Sequence, residues 1–347
     1  MRTVSRLILA AILLAGCATG PKFDPRPLTP TVDFERIEAT APATPDLLLP
    51  PTDPFRIGVG DMIEIEVLEL GGTRRVCRVM PDGLIYYDLL RGFHAEGLTM
   101  EELKVGLEQE LAAHYRSPQV GLILRGVNSK KVWVMGRVNT PGLYALNQPS
   151  TVLEALARAG GLFTSRFSGT TEELADLKHS FLVREGQLMP VDFYKLLREG
   201  DLSQNIYLRD GDYIYLPSAL SQQIYVLGAV NKPRSVGFMD QVTLVSAIAS
   251  ALDVNEAAYT ERVLVVRGRF TEPQVAVIDY LAILQGRQPD VALEPGDIVW
   301  VPDSPWYDLQ EYAKTIVTTF VRSVAAKEGS AFAVPTGDSS LVPSIEP

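Results

Sequence analysis

The sequence has very few of the residues that build catalytic and metal sites. Its 347 residues include 2 cysteines and 3 histidines. His94, His114 and His179 are far apart and lack the spacing of metal ligands, and no second cysteine lies near Cys77. The chain also lacks a P-loop, a nucleophile elbow and a dinucleotide fingerprint. We therefore predict no catalytic residue, no metal site and no cofactor, and we expect that the protein is not an enzyme.

The charge argues against a nucleic-acid-binding protein, and the cysteine content argues against a disulfide-stabilised one. The formal net charge is −10, which argues against a general affinity for nucleic acid. Cys17 ends a short secretory signal, which leaves Cys77 without a partner for an intramolecular disulfide. Because Cys77 lies in an alternating apolar run, we expect a small buried hydrophobic side chain there.

The N-terminus has the features of a secreted lipoprotein. Arg2 and Arg6 precede the apolar run Leu7 to Leu14, which is far shorter than the roughly 20 residues that span a bilayer. The run leads into Leu-Ala-Gly-Cys, which resembles the bacterial lipobox and implies cleavage after Gly16 and acylation of Cys17. Residue 18 is alanine rather than aspartate, which in sorting of the enteric type implies the outer membrane. The alternative is an ordinary signal peptide with an unrelated cysteine.

A proline-rich segment precedes the first folded region. Residues 17–54 predict an extended, semi-rigid tether, because proline removes backbone donors and restricts φ. The tight turn Gly58-Val59-Gly60-Asp61 follows, since glycine accepts positive φ and aspartate bonds back to the backbone. Alternating apolar residues from Ile63 to Val67 then predict a strand. Thr99 and Glu102 form a predicted capping box for a helix.

From Val132 onward the sequence repeats itself. The run Val132–Gly142 is echoed by Ile224–Pro233, and helices opened by Thr151 and Thr243 follow in both copies. Matches in the same order indicate an internal duplication, and each unit is predicted as β-β-α-β-β. Each copy closes with a Gly-Asp turn and a proline. These turns consist of Gly211, Asp212, Gly296 and Asp297, and their recurrence at strand entries favours turn geometry over metal or phosphate binding.

An amphipathic helix is predicted over residues 305–327. Its apolar side chains recur at helical spacing, at Trp306, Leu309, Ala313, Ile316, Val317, Phe320 and Val324. This pattern suits a helix that packs on its own domain, one that lies on a membrane surface, or one stave of a multimeric barrel in a membrane. The tail over 328–347 is predicted to be disordered.

In combination these features resemble the outer-membrane polysaccharide export family, lipoproteins that carry capsular polysaccharide and exopolysaccharide out of Gram-negative cells. The motifs that carry the resemblance are the lipobox, Gly58-Val59-Gly60-Asp61, Pro81-Asp82-Gly83, Gly97-Leu98-Thr99, and the Gly-Asp turns followed by Pro217 and Pro302. It implies an α+β multidomain fold with a polysaccharide export domain over 55–126. Two β-grasp-like SLBB (soluble-ligand-binding β-grasp) domains are expected over 130–218 and 222–303, and the C-terminal helix is expected to cross the outer membrane.

The resemblance also implies a passive transport mechanism. Copies of the chain would form a homo-oligomeric ring, an octamer in the best-known branch, around a hydrated porin-like channel. Polysaccharide would be the cargo, and an inner-membrane polysaccharide co-polymerase would dock beneath the ring. Most of the chain would lie in the periplasm, held to the outer membrane by the lipid on Cys17 and by the Trp306 helix. Two alternatives remain: a periplasmic adaptor ring that hands polymer to a separate outer-membrane β-barrel, and a carbohydrate-binding lipoprotein.

Overall fold

The computed structural model describes residues 33–38, 43–167, 170–220, 222–238, 241–305 and 308–329. The predictions for the signal peptide, Gly16, Cys17, Trp306 and the tail beyond residue 329 concern residues outside this set. Within it, three α+β units follow one another along the chain. We call them the first (about 55–126), second (about 130–218) and third (about 222–303) units.

The chain consists mainly of short strands with five α-helices among them in the described residues. The strands are β1 (Glu35–Arg36), β2 (Met62–Val67), β3 (Arg75–Arg78), β4 (Leu84–Ile85), β5 (Phe93–His94), β6 (Val120–Gly126), β7 (Lys131–Gly136), β8 (Gly142–Ala145), β9 (Thr164–Phe167), β10 (Thr170–Glu173), β11 (Phe181–Arg184), β12 (Gln187–Leu188), β13 (Tyr213–Leu216), β14 (Gln223–Gly228), β15 (Arg234–Gly237), β16 (Val263–Gly268), β17 (Pro273–Ile278) and β18 (Ile298–Val301). The α-helices are α1 (Met100–Leu111), α2 (Val152–Arg158), α3 (Leu244–Ser250), α4 (Tyr280–Leu284) and α5 (Leu309–Gly329). Single helical turns occur at Pro45–Leu47, Lys195–Glu199, Leu202–Gln204 and Thr260–Arg262.

The first unit is a three-stranded sheet with one helix against it. The strand order is β3-β2-β6, and a small β4-β5 hairpin lies beside it. Alternating apolar side chains of β2 meet the buried leucines of α1 in one core. Thr99 caps α1 through the predicted capping box with Glu102. Cys77 is buried in this core, where burial raises the pKa of its thiol.

The second and third units share one strand order. The second sheet runs β12-β11-β13-β7-β8, and the third runs β17-β16-β18-β14-β15 with β1 added beside β17. Thr151 and Thr243 cap the equivalent helices α2 and α3. The sequence pattern β-β-α-β-β missed the closing strand of each unit and, in the second unit, the β9-β10 hairpin as well. After the closing Gly-Asp turn, β13 and β18 enter the middle of their sheets and pair in parallel with β7 and β14.

Equivalent glycines allow this parallel pairing in both units. Gly136 and Gly228 end β7 and β14 with φ of +91° and +87°. A Cβ at either position would lie 2.1 Å from the carbonyl oxygen of Leu216 or Val301 on the neighbouring strand. Only glycine therefore fits there without moving the sheet backbone.

The described part of the N-terminal segment is not a free spacer. β1 pairs antiparallel with β17, and Ile37 is fully buried in the core that lies between the second and third units. Further along, Leu47 packs on the second unit and its carbonyl accepts a hydrogen bond from the Tyr207 N–H at 2.8 Å. The segment thus runs along the third unit, then the second, before it enters the first.

Helix α5 corrects the expectation of a membrane helix. Ala313, Ile316 and Val317 are fully buried, and Phe320 is 4% exposed. They pack in one core with the faces of the second and third sheets that α2 and α3 leave uncovered, and Leu309 and Val324 pack at its margin. The helix is amphipathic because its apolar stripe packs in the chain's own core, which is the first of the three interpretations above. Within the described residues, no helix combines the length and the apolar character needed to cross a membrane.

Candidate functional site

Each predicted Gly-Asp turn lies directly before the central strand of a sheet. Asp61 precedes β2, Asp212 precedes β13, and Asp297 precedes β18. The glycines before them, Gly60, Gly211 and Gly296, have φ of +92°, +81° and +92°. All three carboxylates are buried, with exposed fractions of 0%, 0% and 1%. A buried carboxylate at each sheet entry must find partners there, and those partners differ between the units.

Asp61 joins the first unit to the second. Its Oδ1 accepts hydrogen bonds from the Asn128 and Ser129 N–H groups at 2.7 and 2.8 Å, and its Oδ2 accepts from the Ser129 hydroxyl at 2.8 Å. The Gly58 N–H also donates to Oδ2. A Cβ at Gly58 would lie 2.5 Å from the Cβ of Ser129, so the predicted glycine allows the linker between the units to approach the turn. The turn is therefore an anchor between domains.

In the second and third units the aspartate pairs with an arginine from the adjacent strand. Arg184 donates from Nε and Nη2 to the two oxygens of Asp212 at 2.8 and 2.7 Å. Arg267 contacts Asp297 in the same way, at 2.9 and 2.7 Å. The Nη2 atoms of the two arginines also donate to equivalent carbonyls, those of Tyr207 and Ala292.

Burial and ion pairing act in opposite directions on the charges at the sheet entries. Burial raises the pKa of the Asp212 carboxyl, although Arg184 stabilises its ionised form. Burial would lower the pKa of the Arg267 guanidinium, but Asp297 and Glu294 hold it above its ordinary value. Both oxygens of each aspartate accept hydrogen bonds from the protein. Among the described residues, no group of three or more His, Cys, Asp or Glu side chains is placed to hold a metal ion.

Sequence reasoning found the aspartates but missed their arginines. The signal was present in the repeat, because Arg184 and Arg267 end the equivalent runs Phe-Leu-Val-Arg and Leu-Val-Val-Arg. A charged residue that ends a buried strand at the same place in both copies predicts a buried residue of opposite charge beside it.

His179 lies where the second and third units meet. Its Nδ1 is 2.6 Å from Oδ2 of Asp176, and its ring contacts Phe270 edge-on at 5.3 Å between centroids. Burial opposes ionisation of Asp176, but the hydrogen bond and charge of His179 hold the pKa of that carboxyl below its ordinary value. The ring lies against Gly296, where a Cβ would be 2.5 Å from Cε1. A cavity of about 120 Å³ beside the ring is lined by Gln222, Gln223 and Tyr225, among others.

A polar cluster spans the same junction on another side. Arg269 of the third unit pairs with Asp192 of the second at 3.0 Å, and its guanidinium lies 4.8 Å from the centre of the Tyr194 ring. Lys195 and Glu272 form a second cross-unit pair at 2.8 Å. With α5 in the shared core, these contacts join the second and third units into one body. Among these buried charges, Asp61 and Asp192 contact a neighbouring part of the chain, whereas Asp212 and Asp297 pair within their own units.

Two family comparisons match successive parts of the chain. Residues 49–125 match the family described as polysaccharide biosynthesis/export protein, and residues 130–216 match the SLBB domain. The chain is also similar to the EPS I polysaccharide export outer membrane protein EpsA of Ralstonia nicotianae (strain ATCC BAA-1114 / GMI1000). The identity is 29% over 345 residues, with 83% of this chain and 87% of that protein covered. The protein of the same name from Ralstonia solanacearum is 27% identical over 346 residues, with 85% and 88% covered.

These matches bear on two predictions made from the sequence. The family matches fall in the predicted order, with the export domain before the SLBB domain. The family descriptions and the relatives' names point to an export protein and away from an enzyme, which confirms the prediction that the chain is not an enzyme.

Proposed function

The chain belongs to the polysaccharide export family, and we propose that it is an outer-membrane lipoprotein whose copies assemble into a ring that conducts exopolysaccharide. The observation that carries this proposal is the similarity over 83% of the chain to a protein named for export of EPS I polysaccharide at the outer membrane. The order of the export domain and the SLBB domain along the chain supports it.

The course of the N-terminal segment supports an orientation for the proposed lipoprotein. Acylation of Cys17 would fix the N-terminus in the outer membrane, and β1 is paired with the edge of the third sheet. The chain from Cys17 to residue 33 spans at most about 55 Å when fully extended. In this arrangement the third unit lies near the outer membrane and the first unit lies at the far end. The first unit would then face the inner-membrane co-polymerase that the family resemblance implies.

The sheet entries support a passive conduit. The buried charges at Asp212 and Asp297 are bonded to arginine and backbone, so they have no free acid or base to offer a passing polymer. A ring of rigid units would select polymer by the width and lining of its lumen. Its copies would supply a path, and the synthesis machinery would supply the driving force.

A second candidate is a periplasmic adaptor ring that passes polymer to a separate outer-membrane pore. The burial of the α5 apolar stripe on the second and third sheets favours it, because those side chains are not available to face lipid. In this version the lipid anchor and the export function are unchanged. Only the last step, passage through the outer membrane, belongs to another protein.

The test begins with a strain that lacks the protein and still makes the polymer. We expect polymer to accumulate inside such cells and to reach the surface again when the wild-type chain is restored. Cys17→Ala should abolish incorporation of labelled fatty acid, remove the protein from the outer-membrane fraction and reduce surface polymer. Cys77→Ala is the matched control, because it removes the other cysteine, which is buried in the first unit.

Different results would overturn different parts of the proposal. Normal surface polymer in the deletion strain would refute an export function. Normal fatty-acid labelling of the Cys17→Ala chain would refute the lipid anchor. To separate the two candidates, a partner is sought by cross-linking in whole cells. Recovery of an outer-membrane pore protein whose deletion traps polymer in the periplasm supports the adaptor ring, and export without any such protein refutes it.

A further inference from the structure

The first unit covers only one face of its sheet. Helix α1 packs on the face that carries Ile63 and Ile65, so the alternate side chains of β2, β3 and β6 point the other way. On this outer sheet face Val76, Glu64 and Ile123 form one cross-strand row. Val76 is 52% exposed and Ile123 is 48% exposed, on the two sides of Glu64. Two branched apolar side chains, one on each edge strand of the sheet, thus remain in water.

Three arginines lie on the outer sheet face around this row. Arg125 and Arg74 reach across to Glu64, at 2.9 and 3.6 Å, and Arg74 also pairs with Glu66 at 2.6 Å. Glu64 is only 7% exposed beneath them. Arg78 is exposed beside the same row and forms no ion pair with any described residue. The outer sheet face therefore exposes two apolar side chains, one on each side of a glutamate–arginine cluster, and its charged groups have an excess of positive charge.

The opposite side of the unit has the complementary character. Helix α1 has the sequence MEELKVGLEQEL, with four glutamates and one lysine. Glu101, Val105 and Gln109 lie one turn apart along its exposed side, and Val105 is 44% exposed. We call this the outer helix face. Its middle residue is the exposed apolar Val105, and its surroundings carry an excess of negative charge.

We propose that the outer sheet face of one copy packs on the outer helix face of the next copy. The inference rests on the proposed ring and names the surfaces that build it at the level of the first unit. Both faces expose apolar side chains among charged groups, a combination found in protein interfaces, and opposite charges select the partner face. Because the two faces lie on opposite sides of one unit, the contact is head-to-tail, the type of contact that builds a ring when the rotation between copies closes. A two-fold contact would instead place arginines against arginines.

The test is site-directed cross-linking of the full-length chain in outer membranes. Val76→Cys and Val105→Cys are combined in one chain, and a bifunctional maleimide is added. We expect a ladder of cross-linked multimers from the double variant and monomers from either single variant, because each single variant offers only one side of the contact. The pair Val277→Cys with Val105→Cys is the matched control, since Val277 is also an exposed valine, 40% exposed, but lies on the third unit. This control pair should give monomers.

A second measurement uses Val76→Glu and Ile123→Glu. Both side chains are exposed in the single chain, so the midpoint of thermal unfolding should stay within a few degrees of wild type while the native mass falls from the multimer to the monomer. A wild-type multimer that gives no ladder with the double variant would overturn this interface and leave the proposed ring intact. Dimers from a single variant would also overturn it, in favour of a two-fold contact. A wild-type chain that is monomeric in membranes would overturn the ring itself.

Discussion

Truncation of Phe320 is the most direct test of how α5 is placed. The Phe320 ring is 4% exposed and contacts Tyr225 edge-on at 4.7 Å and Phe270 at 5.5 Å between centroids. It therefore joins α5 to two different parts of the third unit. In Phe320→Ala these contacts are lost and a cavity remains in the core between the sheets.

The expected loss is large because the site is enclosed. Replacing a buried phenylalanine by alanine costs about 3 to 5 kcal/mol. Every 1.4 kcal/mol changes an equilibrium about tenfold, so the population of chains with α5 detached should rise roughly 100-fold or more. Lys314→Ala is the control on the same helix, since Lys314 is exposed and alanine keeps the helix propensity. We expect this control to stay within about 0.5 kcal/mol of wild type.

The assay is urea unfolding of the detergent-extracted full-length chain, followed by tryptophan fluorescence. Trp300 reports on the docking of α5, because its Nε1 donates to the Tyr312 hydroxyl of the helix at 3.1 Å. We expect the Phe320→Ala midpoint to fall and α5 to become sensitive to protease at lower urea. Equal midpoints for Phe320→Ala and Lys314→Ala would refute the packing of α5 between the sheets. Such a result would instead favour the interpretation of α5 as a membrane helix.

Three further predictions concern the sheet entries and the core of the third unit. Gly296→Ala and Gly211→Ala share the strain of positive φ, about 1 to 2 kcal/mol, but only Gly296→Ala drives a Cβ into His179. Thermal unfolding should therefore show an extra loss of about 1 to 3 kcal/mol for Gly296→Ala, and equal losses would contradict the contact. Arg184→Ala leaves Asp212 buried without its partner and should destabilise the chain by about 3 to 5 kcal/mol. The double variant Arg184→Met, Asp212→Leu removes both charges and should lose much less stability. Equal losses of the two variants in urea unfolding would contradict a buried pair. Burial raises the pKa of Tyr280 to about 12. The folded chain thus holds this proton more tightly than the unfolded chain, so stability is full below about pH 10 and falls by up to roughly 3 kcal/mol as the pH rises through 12. Tyr280→Phe should flatten this alkaline slope, and an unchanged slope would contradict the assignment.

Much of the local structure could be predicted from the residues themselves. Capping boxes at Thr99 and Thr151 depend on contacts between residues three apart, so a linear pattern contains the whole interaction. The Gly-Asp turns are local for the same reason, and their recurrence in two copies distinguished them from chance. The closing strands β13 and β18 were missed because a four-residue apolar run does not reveal which strand it will join.

The partners of the buried charges were also beyond the local pattern. Asp61 is bonded to Ser129, and Arg184 is bonded to Asp212, across long stretches of chain. Such contacts exist only after the sheets have formed and brought the strand ends together. A repeat shows that both residues recur, but it does not show that they meet.

The sequence by itself determined the order of the units, their duplication, the turns and the amphipathic character of α5, since each is a property of neighbouring or regularly spaced residues. Only the tertiary structure decided what that helix packs against. An apolar stripe at helical spacing suits lipid, a partner chain or the chain's own core equally well, because the hydrophobic effect has no direction. Here two sheets each leave one apolar face uncovered, and α5 is the element that fills the space between them. The same fold brings the N-terminal segment back onto the third unit, a contact that no local pattern contains.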